Sequence, residues 1–134
     1  KHQEMKDAIE LERLLKDEVT DRFAEDLPNS LNAYQLDCER VHSPDPVRVP
    51  VYALGLVGEA GEVADLIKKH IGHGHPLDRN KLMLELGDVL WYVAMNAHIH
   101  GMTLAQVAQA NTLKLQRRYP DGWDPERSRN RDVT

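Results

Sequence analysis

Residues 82–97, LMLELGDVLWYVAMNA, constrain this chain more than any other stretch. At helical spacing they are apolar on nearly every side. A helix of that kind is stable only when surrounded, inside a bundle or at an interface between chains. Within the run stand Glu85 and Asp88, three residues apart. An unpaired carboxylate in such surroundings costs several kcal/mol, so something must offset it. Few basic residues lie close by in sequence.

A second acidic pair precedes the first. In GEAGEVADLIKKH, residues 58–70, Glu59 and Glu62 are again three apart. On a helical wheel they border an arc of Leu56, Ala60, Val63, Ala64 and Ile67 and avoid the far, solvated face. Asp65 lies further round and reads as an exposed i,i+4 pair with Lys69. Carboxylates three apart share one helix face, roughly 5–6 Å apart at Cβ. Two such pairs on facing helices offer four oxygen ligands around one cavity. Oxygen ligands without His or Cys suit Mg²⁺, with Mn²⁺ as a substitute. Gly58, Gly61 and Gly87 beside the acids are expected to allow close approach of a backbone or ligand. The competing readings are structural acids held by caps or arginines, and a di-iron bundle. The latter wants Glu-x-x-His pairs, and neither Glu59 nor Glu85 has His three residues on.

The rest of the chain supplies helices to surround that centre. The pattern gives an N-terminal amphipathic helix over 4–18, ended by DLPNS, and a short helix over 31–42 capped by Ser30. SPDPVRVP reads as a loop, with three prolines in eight residues. A long helix is expected from Val51 to Ile71 with Gly72 as its C-cap, a fourth from Asp78 to His100 ended by Gly101, and a fifth from a Thr103 cap to Arg118. No alternating strand pattern occurs. The fold class is therefore all-α, a bundle of four main helices plus the N-terminal one. The division expected is an N-terminal helical extension over 1–27, a helical domain over 28–123 and a charged tail over 124–134.

Charge and composition narrow the partners. A net charge of −5 argues against a general nucleic-acid surface. No apolar run approaches the roughly 18 residues of a membrane span. The opening KHQEMKDAIELERL, charged throughout, does not read as a signal peptide. Cys38, the single cysteine, excludes an intramolecular disulfide and fits a reducing, cytoplasmic setting. It reads as a half-buried thiol.

An anionic metal shell wants an anionic ligand to bridge, and the fifth helix carries the complement. In NTLKLQRRYP, Asn111, Lys114 and Arg118 share a face, with Arg117 further round. Such a set can hold a polyphosphate, although cations also favour a helix C-terminus for its dipole alone. Tyr92 falls one turn beyond Asp88, with Asn96 after it, and both are candidates to touch a ligand. Tyr34 and Gln35 are weaker candidates for contact with a base. His70, His73 and His75 cluster at a Gly-rich tip, which reads as a loop rather than a zinc site.

GEAGEVADLIKK followed by ELGDVLWYV resembles the MazG-like all-α nucleoside triphosphate pyrophosphohydrolases. Their signature is ExxE, a variable spacer and ExxD, here Glu59 and Glu62, a spacer of 22 residues, then Glu85 and Asp88. NTLKLQRRYPDGW is similar to the family's Asn…Lys…Arg element, and AYQ at 33–35 to the opening of short, single-domain members. The resemblance spans residues 30 to 123. It implies an all-α NTP pyrophosphatase bundle whose sites are completed by oligomerisation, as a homodimer or homotetramer. It further implies Mg²⁺ on the four acids, a catalytic base at Glu59 or Glu62, and phosphates held by Asn111, Lys114, Arg117 or Arg118. It places Tyr92 against substrate. The activity implied is conversion of an NTP or dNTP to a nucleoside monophosphate and pyrophosphate, in nucleotide-pool cleansing or control. The alternative is a non-enzymatic acidic helical module that binds arginines of a partner.

Overall fold

The computed structural model describes residues 30–130. Among these are five helices and no strand: α1 (Leu31–Glu39), α2 (Arg48–His73), α3 (Arg79–Ile99), α4 (Leu104–Arg118) and α5 (Pro125–Arg129). The expected helix over 4–18 lies outside the described residues.

Four of the five helix starts carry a side-chain cap. Ser30 Oγ accepts the amide of Ala33 at 3.2 Å to open α1. Asp78 does the same for Lys81 at 2.9 Å to open α3. Thr103 and Gln106 form a reciprocal capping box on α4, each side chain accepting the other's amide. The tail is not uniformly irregular, since Asp124 caps the short α5 with Pro125 in its first turn.

Three boundaries differ from expectation, the first at α1, which stops at Glu39 and not at 42. Helix α2 begins at Arg48 rather than Val51, so Pro50 lies in its first turn, where no amide N–H is needed. At its other end α2 passes through Gly72 and stops at His73, with Gly74 in the left-handed region at φ 69°. His75 precedes Pro76 and is barred from the helical region, so Gly74 is the last place to turn. The imidazole of His70 donates from Nδ1 to the carbonyl of His75 at 2.7 Å and closes this cap.

Helices α2 and α3 form an antiparallel hairpin, and α1 and α4 pack across the second half of α3. The core is Cys38, Tyr52, Ala94, Met95 and Leu104, flanked by Tyr34, Trp91, Tyr92, Val93 and Ile99. Gln35, only 5% exposed, stitches three elements: its amide donates to Ala94 O (3.2 Å) and Met102 O (3.0 Å) and accepts from Leu104 N (2.9 Å). At the same end Tyr52 Oη accepts the amide of Ser43 (3.3 Å), which leaves its own proton for His42 Nδ1 at 2.9 Å. Glu39 pairs with His98.

Burial of α3 is one-sided within the chain. Its second half supplies Ala94, Met95 and Ala97 to the core, whereas Met83, Leu84, Leu86 and Leu90 are exposed. Leu54 and Val57 on α2 are also exposed. Among the described residues, the expectation of a helix covered on all sides is not met.

Candidate metal and phosphate site

The α2–α3 hairpin decides where the acids meet. Asn96 faces Tyr52, and Tyr92 faces Gly55. Two antiparallel helices with the same rise per residue then carry Asp88 to Glu59 and Glu85 to the level of Glu62. Glu59, Glu85 and Asp88 do converge: one carboxylate oxygen from each lies within 4.8 Å of the others. Glu59 and Glu85 are half-buried and Asp88 is exposed. Glu62 is exposed and stands outside this trio.

The electrostatics follow from crowding. Loss of hydration raises the Glu59 carboxyl above its ordinary value, and the charges of Asp88, Glu85 and Glu62 raise it further. None of the three clustered carboxylates has an ion-pair or hydrogen-bond partner among the described residues. Among the described residues, then, no arginine pairs with them. Asp65 provides the contrast: Lys69 and Lys68 hold it at about 2, on the outer face as expected. Three oxygens repelling one another and lacking a cation match the needs of a hard divalent ion.

Around the trio, Tyr34 is half-buried and its hydroxyl donates to Gly87 O at 3.4 Å, next to Asp88. Burial raises its pKa first, then contact with Cys38 and the Asp88 charge. Burial likewise pushes up the Cys38 thiol, 3% exposed, which suits core packing and not nucleophilic chemistry. Gln35 is corrected: buried, with both amide protons and an oxygen lone pair engaged within the core, it is turned away from a base. Asn96 donates from Nδ2 to Tyr52 O (3.0 Å) and Tyr92 O (2.7 Å), a use in holding helices together that the sequence did not suggest.

At the glycines beside the acids, no backbone among the described residues makes the expected approach. A Cβ at Gly58, Gly61 or Gly87 meets nothing within 4 Å. The close approach falls instead at Gly55, where a Cβ would stand 2.2 Å from the Tyr92 ring. A glycine inside a helix was the available signal, but nothing in the sequence names its neighbour.

Asn111, Lys114 and Arg117 project from the exposed outer half of α4, and Arg118 is half-exposed. No hydrogen bond or ion pair joins them to the trio among the described residues. The histidine tip forms no metal-ligand cluster with its neighbours among the described residues.

A family model described as the MazG nucleotide pyrophosphohydrolase domain matches residues 50–123, from the first turn of α2 past the end of α4. The "Gene 37 protein" of Mycobacterium phage L5 is 39% identical over 90 residues, covering 64% of this chain and 75% of that protein. Its name assigns no activity. No solved structure matches.

Proposed function

Because the chain belongs to the MazG nucleotide pyrophosphohydrolase family, we propose that it hydrolyses a nucleoside or deoxynucleoside triphosphate to the monophosphate and pyrophosphate, with Mg²⁺ as cofactor. The observation that carries this reading is the trio of Glu59, Glu85 and Asp88, gathered with no cationic partner among the described residues. Glu62, one turn from Glu59, completes a four-carboxylate set when its side chain swings inward. When bound, the ion neutralises phosphate charge and polarises the α-phosphate.

The chain's own groups do the remaining work. Glu59, whose affinity for a proton is raised by its neighbours, suits a base that orients water and takes its proton as the water attacks the α-phosphorus; Glu62 is the other candidate. Lys114, Arg117, Arg118 and Asn111 hold the phosphates and balance charge on the departing pyrophosphate. Tyr92 and Tyr34 border the substrate. The exposed apolar rows on α2 and α3 favour sites completed by a second copy, in a homodimer or homotetramer. Nucleotide-pool cleansing in the cytoplasm is the role this activity would serve.

The test is pyrophosphate release from a panel of NTPs and dNTPs with and without Mg²⁺. Release that requires the metal supports the reading. A chain that binds nucleotides but releases no pyrophosphate from any of them refutes it.

A further inference from the structure

Gly55 and Asn96 lie one and two turns from the acids, on the two helices that carry them. Asn96 ties α3 to the Tyr52 carbonyl of α2 at 3.0 Å. One turn nearer the trio, the Tyr92 ring lies directly over the bare α-carbon of Gly55. Ordinary carbon–carbon contact is about 3.5–4.0 Å, whereas a methyl at Gly55 would meet ring carbons at 2.2, 2.4 and 2.9 Å. The ring has little freedom to yield, since it packs edge-on against Trp91 at 5.0 Å and Tyr52 at 6.1 Å. Tyr52 is itself only 4% exposed. With a side chain at Gly55, the hemmed-in ring, or α3 with it, must shift by more than about 1 Å to restore contact distance.

From this geometry we infer that Gly55 is a positioning residue for the acidic trio. Its missing side chain seats Tyr92 against α2 and, with the Asn96 clamp, fixes the α2–α3 register that brings Glu59 to Glu85 and Asp88. Ligand distances at a metal site tolerate about 0.2 Å, so a shift of the size forced at Gly55 is several times too large. The consequence for metal binding rests on the trio's being a cation site, as proposed above; the consequence for register does not.

The experiment has two readouts on the purified full-length chain. The first is Mn²⁺ affinity by titration calorimetry, alongside circular dichroism. Gly55→Ala is expected to remain helical and bind Mn²⁺ about 10–100-fold more weakly, the range seen when groups supporting metal ligands are lost. Gly72→Ala, the same change on the same helix where a Cβ meets nothing within 4 Å, is expected to leave affinity unchanged. Gly55→Ala in a Tyr92→Ala background should cost no further affinity, because the obstructing ring is gone. The second readout is a crystal structure of metal-free Gly55→Ala, in which α3 is displaced along or away from α2 and the three carboxylates part. A folded Gly55→Ala chain with the register intact, or with Mn²⁺ affinity within two-fold of the unaltered chain, overturns the inference. If the unaltered chain takes up no Mn²⁺, the metal reading fails, and the crystal structure alone decides the register. Should Gly55→Ala not fold, Asn96→Ala carries the same two readouts, with a several-fold loss of affinity expected and no loss counting against the clamp.

Discussion

At the scale of single residues, Glu59 shows how like charges shape a site. Its carboxyl is raised by lost hydration and by Asp88, Glu85 and Glu62. A raised carboxyl binds its proton more tightly in the folded chain than in the unfolded one. The folded state is thus favoured below the ordinary glutamate range and loses that advantage as pH rises through the raised value. Without divalent ions, Glu59→Gln should therefore increase the melting temperature near neutral pH, and it should abolish the further rise that Mg²⁺ gives the unaltered chain. A melting temperature lower than that of the unaltered chain in chelator would contradict this. Asp88→Asn should suppress Mg²⁺-dependent pyrophosphate release while circular dichroism is unchanged. Glu62→Gln asks whether the fourth acid, exposed and outside the trio, belongs to the site: full activity would remove it from the metal set. Lys114→Ala should raise the NTP concentration needed for half-maximal rate, and an unchanged dependence would end its phosphate role.

At the scale of elements, the joints between helices are small and specific. Gln35→Leu would strand the amide of Leu104 and two carbonyls, at a cost of about 1–3 kcal/mol for a buried group left unpaired; urea unfolding measures it. Gly74→Ala forces a left-handed residue to carry a Cβ, at about 1–2 kcal/mol, whereas Gly72→Ala, two residues earlier but within the helix, should stabilise by up to about 1 kcal/mol. Opposite signs at neighbouring glycines separate a cap from a helix interior. Ser30, Asp78, Thr103 and Gly101 marked their ends legibly, since capping is local chemistry. The starts and stops that shifted depend on neighbours: Pro50 is tolerated because a first turn needs no donor there, and Gly74 wins over Gly72 because the helix has room to continue.

At the scale of the whole molecule, the exposed apolar rows on α2 and α3 and the exposed basic half of α4 belong together. Among the described residues α3 is covered only in part, and no hydrogen bond or ion pair joins the phosphate-binding candidates to the acids. Light scattering at micromolar concentration should give a dimer or a larger species; a monomer would contradict the assembled site. Thermal shifts with Mg²⁺, Mn²⁺ and a nucleotide panel would then distinguish an enzyme, stabilised by metal with nucleotide, from an acidic interaction module indifferent to both.

The residues alone determined the helical class, most helix ends and the helices that carry acid, because periodicity and capping are written within a few positions of one another. The family resemblance came from the same local spacing. What the tertiary structure decided was which of those residues meet. It gathered Glu59, Glu85 and Asp88, left Glu62 outside, sealed Gln35 in the core and gave the close contact to Gly55 rather than to the glycines beside the acids. Those outcomes depend on how two helices slide against each other, and that register is set by contacts between residues some forty positions apart.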